Sequence, residues 1–222
     1  MPSLDITQIL IAFAVLLFSL TVHEAAHAWS ADKLGDPTAR TLGRVTFNPA
    51  AHVDPIGTIL FPLLAMASSL PLIGWAKPVP VNPRKYRNYR AGDIRVSLAG
   101  IVTNLGLAVI ATLLLIAIAH LANLAPALGP SLEAVARMVN YGVLVNLVLA
   151  FFNLIPIPPL DGSHVLYHLL PPQLGLRYRE LSRYGMLILI LLLMVGRPIF
   201  SVLMTPAWVL YQMAMNLVSL WT

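Results

Sequence analysis

Residues 21–27 read Thr21-Val22-His23-Glu24-Ala25-Ala26-His27, an instance of the pattern H-E-x-x-H. On an α-helix, residues four apart share a face, so the imidazoles of His23 and His27 can grip one metal ion while Glu24 reaches the water that the ion activates. Zinc favours such nitrogen ligands in a tetrahedral arrangement and brings the pKa of water down to about 7. A neighbouring carboxylate can then take the proton as the water attacks a carbonyl and return it to a leaving amine. The chain contains no cysteine. Thiolate ligands and disulfides are therefore excluded, and any metal site must be built from imidazole and carboxylate.

A catalytic zinc site needs a third protein ligand and an open position. Asp5, Asp32, Asp36, Asp54, Asp93, Glu133 and Glu180 fall at expected helix ends or in polar loops, which leaves Glu24 and Asp161 set in apolar surroundings. Asp161 is the candidate third ligand. It follows Asn153-Leu154-Ile155-Pro156-Ile157-Pro158-Pro159-Leu160 and precedes Gly162. Prolines end a helix and can turn a carboxylate sideways into a bundle. Two alternatives stay open on the residues alone. Asp161 could cap a following helix over residues 163–170, and the His-Glu-His cluster could pack helices or line an ion path. His52, His164 and His168 read as turn or interfacial residues.

The elements that must position these groups are apolar. Of 222 residues, 58% are hydrophobic and 10% are charged, against roughly 25% charged in a soluble domain. Runs over residues 9–29, 94–121, 135–155, 187–195 and 199–221 carry the excess, and several reach the roughly 20 residues that a helix needs to cross hydrocarbon. The first run lacks a basic leader and a small-residue cleavage site, so it reads as a retained helix over 6–31 rather than a signal peptide. Further helices are expected over 94–121 and 132–154. The stretch 184–221, cut by Gly196-Arg197-Pro198, is two short helices or one kinked one. Residues 56–75, broken by Pro62 and Pro71, are a kinked span or a re-entrant hairpin. Arg40 to Phe47 alternates β-forming residues with turn formers and reads as a strand or hairpin arm, with Val79-Pro80-Val81 a second extended piece kept at an edge by its prolines. The expected fold is thus an all-α polytopic membrane protein, one domain over 1–222, with about five to six membrane-embedded segments and a short β-hairpin-like element.

The net charge is +5. Its basic residues gather at Arg84, Lys85, Arg87, Arg90 and Arg95 beside apolar segments, without the aromatic interleaving of a nucleic-acid platform, and this is the pattern of cytoplasmic retention. Nucleic acid is excluded as a partner. The loop 122–130 has no Lys or Arg and belongs on the opposite side. A full crossing by residues 56–75 would reverse the first helix, whereas the simplest geometry in which His23, His27 and Asp161 meet has the first helix and the helix ending near Leu154 both running inward. Residues 56–75 then begin and end on the cytoplasmic side, and the metal lies toward that side.

H-E-A-A-H in an apolar helix followed much later by N-L-I-P-I-P-P-L-D-G resembles the site-two protease family of intramembrane metalloproteases, which pairs HExxH with N-x-x-P-x-P-x-x-D-G. Gly100-Ile101-Val102-Thr103-Asn104 is similar to the family's G-P-x-x-N signature, with Ile101 where proline is usual. The matching residues run from His23 to Gly162. The resemblance implies one zinc per chain held by His23, His27 and Asp161, Glu24 as the base, Asn104 and Asn153 as substrate-positioning amides, and a transmembrane protein or peptide as substrate. It implies a minimal core without PDZ or nucleotide-sensing extensions, in the plasma membrane of a prokaryote. An unwound substrate could add to an edge at Arg40 to Phe47. The rivals are a metal-ion transporter using the same His, His and Asp, which has no need of Glu24 and would be expected to show an inverted repeat, and a catalytically silent scaffold, against which the intact quartet argues.

Overall fold

A helix whose every face is apolar can bury itself only among other helices or in lipid, and four helices of this chain are long and apolar enough to cross a bilayer. They are seen in a computed structural model, which describes residues 6–60, 62 and 75–221. The elements are α1 (Ile6–Lys33), a short α2 (Thr38–Thr41), α3 (Tyr89–Leu124), α4 (Gly129–Leu154), α5 (Asp161–Leu169), α6 (Pro172–Glu180), α7 (Gly185–Met194) and α8 (Arg197–Ser219). The structure is 81% helix with no strand among the described residues. Local signals set the ends. Asn88 caps α3 by accepting from the Ala91 N–H at 3.0 Å, and Pro198 lies in the first turn of α8, where its missing N–H costs nothing.

Helix α3 is the spine. At 36 residues it is about 54 Å long, well beyond the roughly 30 Å of hydrocarbon. On α1, His27 meets Val96 of α3 while His23 meets Asn104, so the two helices run antiparallel. On α4, Asn146 meets Asn104 while Gly142 faces Ala111, so α4 is also antiparallel to α3 and therefore runs with α1. Ala108, Ala111, Leu115, Val143, Leu147 and Ala207 form the core where α3, α4 and α8 cross. Three of these six are alanines, which let backbones approach closely where lipid supplies no hydrophobic drive between helices.

The expected β-element is not there. Arg40 and Thr41 belong to the helical turn α2, which ends in a Schellman motif: Arg44 N–H bonds Ala39 O at 2.8 Å, Gly43 N–H bonds Arg40 O at 3.0 Å, and Gly43 takes φ +67°. Glycine in the left-handed region closes the helix and outweighs the β-propensity of its neighbours. Val79, Pro80 and Val81 lie in an extended stretch without a strand partner. Prolines remove its donors, and side chains dock it instead: Arg44 Nη2 donates to Lys77 O at 2.6 Å, Val79 N–H to Glu24 Oε2 at 2.9 Å, and Asn82 N–H to Asp36 Oδ2 at 2.6 Å.

The count of about five to six embedded segments gives way to four candidate spans among the described residues. The stretch 184–221 is two helices, and α7, at 10 residues, is about 15 Å and too short to cross. The choice between span and hairpin for residues 56–75 falls mostly outside the described residues. Its described ends meet: Trp75 N–H bonds Gly57 O at 3.1 Å and Thr58 Oγ1 donates to Trp75 O at 2.8 Å.

Candidate metal centre

His23 and His27 sit one turn apart on α1, buried, with their Nε2 atoms 3.0 Å from each other. What faces the other ring nitrogen assigns the tautomers. His27 Nδ1 lies 2.7 Å from Val96 O, which can only accept. For His23 the assignment runs through a buried chain. Asn146 Nδ2 lies 2.8 Å from Gly142 O, also a pure acceptor, and 3.0 Å from Ser19 Oγ. Its Oδ1 therefore takes the Asn104 amide at 3.2 Å, which leaves Asn104 Oδ1 facing His23 Nδ1 at 2.8 Å. Both histidines thus carry hydrogen on Nδ1 and present the Nε2 lone pair inward.

Asp161 brings the third lone pair. The tract Pro156 to Pro159 breaks the chain between α4 and α5 by removing donors. The break is held tightly: a Cβ on Gly162 would lie 2.2 Å from Leu154 O, and one on Gly185 would lie 2.2 Å from Pro158 O. Tyr178 OH donates to Pro156 O at 2.9 Å. Asp161 is the first residue of α5 and makes no capping bond, Leu160 standing at the cap. Its carboxylate is directed at α1, with Oδ2 3.2 Å from His23 Nε2 and 3.3 Å from His27 Nε2.

Asp161 Oδ2 is buried without a hydrogen-bond partner. Three lone-pair atoms 3.0 to 3.3 Å apart require a cation among them. A proton on one ring can serve only part of the set, whereas a metal ion serves all three. The spacing matches the edge of about 3.3 Å of a tetrahedron with metal–nitrogen distances of about 2.0 to 2.1 Å. Among the described residues, His23, His27 and Asp161 are the one group of this kind that could hold a metal ion.

Of the other expected site residues, Glu24 follows His23 on α1 and its Oε2 accepts the Val79 N–H. Asn104 is fully buried, and both ends of its amide are used within the protein, one of them on His23. Asn153 donates to Leu149 O of its own helix at 3.0 Å and stands apart from this network. His52, expected at a turn or interface, is buried with Nε2 3.0 Å from Thr46 O. His168, expected at an interface, is buried against Asp93, while His164 is half-exposed.

Sequence reasoning passed over Asn146, Ser19 and Gly100. Asn146 carries a readable signal, since a buried amide in an apolar helix must bond something. In the sequence, Gly100 stands out only as part of the Gly100-Ile101-Val102-Thr103-Asn104 signature. Its reason is spatial: a Cβ there would lie 2.4 Å from Cε1 and 2.6 Å from both nitrogens of the His23 ring.

A family model described as peptidase family M50 matches residues 11–195. The chain is 39% identical over 178 residues to a Bacillus subtilis (strain 168) protein named "Putative zinc metalloprotease YwhC", covering 80% of this chain and 77% of that one. It is 32% identical over 186 residues to the Rip2 protein of Mycolicibacterium smegmatis, whose name likewise describes a zinc metalloprotease, covering 83% of this chain and 66% of the relative. The namesake from Mycobacterium tuberculosis (strain H37Rv) is 30% identical over 177 residues, with 79% and 63% covered. No solved structure matches the chain.

Proposed function

The chain belongs to peptidase family M50, the site-two protease family, and is a zinc metalloprotease; from that premise we propose that it cuts peptide bonds within or beside transmembrane segments of other membrane proteins. His23, His27 and Asp161 hold the zinc, Glu24 is the general base, and residues 1–222 work as one domain. The observation that carries this reading is the convergence of His23 Nε2, His27 Nε2 and Asp161 Oδ2, three lone pairs with no hydrogen among them, in a chain with four helices fit to span a bilayer.

Zinc, when bound, supplies a Lewis acid that polarises the scissile carbonyl and acidifies water. The protein's own groups do the rest. Val79 N–H fixes Oε2 of Glu24, which leaves Oε1 to accept the proton of the attacking water and deliver it to the departing amine. The Nδ1 bonds of His23 and His27 keep both rings in the tautomer that leaves Nε2 free. A helical substrate must unwind before its carbonyl can react, because the carbonyls of an intact helix are already hydrogen-bonded.

Orientation follows from helix direction and charge. α1 and α4 run together toward the end of the bundle where Arg84, Lys85, Arg87, Arg90 and Arg95 lie, and basic loops stay cytoplasmic. The catalytic residues accordingly sit toward the cytoplasmic side of the plasma membrane. The test is cleavage in proteoliposomes, with Glu24→Gln beside wild type and a transmembrane substrate beside a soluble peptide. We expect Glu24→Gln to lose about 10²–10⁴-fold in rate, the usual worth of a general base, while keeping its zinc. Unchanged cleavage by Glu24→Gln would remove the assignment of the base.

A further inference from the structure

We propose that Asp93 is a positioning residue for Asp161: by bonding His168 and His164 on the same face of α5, it fixes the helix whose first residue completes the metal centre. The proposal rests on the reading of His23, His27 and Asp161 as zinc ligands.

Asp93 lies near the start of α3 with 5% of its surface exposed. The proposed chemistry makes no use of it, and a buried carboxylate needs a partner to offset its desolvation. Its partners come from α5. His168 Nε2–H donates to Asp93 Oδ2 at 2.8 Å, and His164 Nδ1 lies 3.4 Å from the same oxygen. On an α-helix, residues 161, 164 and 168 fall on one face, so the face that presents Asp161 to the histidines is the face that Asp93 holds. Tyr167 and Tyr89 close around the contact, their rings 4.9 and 5.3 Å from that of His168 in edge-on packing. The opposite end of α5 leads into Pro171-Pro172, and the Asp93 contact is a buried polar tie between this nine-residue helix and the spine.

Asp93, Val96, Gly100 and Asn104 form one stripe along α3, three or four residues apart. Each meets a different part of the centre: Asp93 meets the histidines of α5, Val96 O meets His27, Gly100 leaves room for the His23 ring, and Asn104 Oδ1 meets its Nδ1. A helix that contributes no ligand thereby aligns all three.

The full chain in lipid nanodiscs provides the test, through zinc affinity by chelator competition, the absorption spectrum of the cobalt-substituted protein, and thermal unfolding. Asp93→Ala and His168→Leu should each weaken zinc by about tenfold or more, the scale of an outer-shell loss, and alter the cobalt bands. His168→Gln keeps an N–H donor and should restore both. A purely structural tie predicts lower unfolding temperatures with unchanged affinity and spectrum, and that result overturns the proposal. So does equal zinc loss in Leu115→Ala, a core change remote from the site. If Asp93→Ala does not fold, the His168→Leu and His168→Gln pair decides. Asp161→Ala separates the two levels. Should it keep wild-type affinity, the ligand assignment falls and this inference with it; should it lose zinc while Asp93→Ala and His168→Leu keep theirs, this inference alone is wrong.

Discussion

At the scale of single residues, the centre depends on where two hydrogens are. Val96 O and Asn104 Oδ1 draw them to the Nδ1 atoms of His27 and His23, and each ring is left with its basic nitrogen facing Asp161. Removing the Asn104 carbonyl lets His23 rotate and take the other tautomer. Asn104→Ala should therefore weaken zinc by about 10–100-fold, measured by chelator competition; undiminished affinity would show that the amide only packs helices. The ligand candidates were readable in sequence because ionisable groups are costly in apolar helices and so few occur there. The tautomers were not, because Val96 acts through a backbone carbonyl and Asn146 through a neighbour 42 residues away. Neither leaves a pattern in residue types.

At the scale of elements, α1, α3 and α4 were legible from apolar length, and the break before Asp161 from its prolines. The alternative that Asp161 caps the following helix is answered by its place as the first residue of α5, without a capping bond. The strand at Arg40 to Phe47 failed because Gly43 marks a helix end, a local signal that propensity counting overlooked. The extended stretch through Val79 failed as a strand because its prolines leave side chains, not a sheet, to satisfy it. A pair of glycines on α3 tests whether close approach sets the site. Gly100→Ala places a Cβ 2.4 Å from the His23 ring, whereas Gly106→Ala meets nothing within 4 Å. The first should sharply reduce bound zinc and the second should leave it unchanged, by metal analysis of the purified proteins. Equal zinc content in both would mean that the ring has room to move.

Over the whole molecule, α1 and α3 are antiparallel, so the connection between them begins and ends on one side of the membrane. Gly57 and Thr58 meet Trp75, so the described ends of the 56–75 stretch lie together. Single cysteines in this cysteine-free chain, Ser3→Cys, Ala50→Cys and Asn123→Cys, report the sidedness to a membrane-impermeant thiol reagent on intact cells. Labelling is expected at positions 3 and 123 and not at 50. Labelling at 50 and 123 but not at 3 would contradict the helix directions, and labelling at 50 alone would invert the orientation.

In the proposed centre, two imidazoles from α1 and one carboxylate from α5 hold a single zinc that the base does not help to bind. Its most direct test is zinc stoichiometry and affinity across wild type, His23→Ala, His27→Ala, Asp161→Ala and Glu24→Gln. One zinc per chain is expected for wild type and Glu24→Gln, with strong loss in the other three. Asp161→Ala retaining zinc at wild-type affinity would show that the carboxylate is not a ligand.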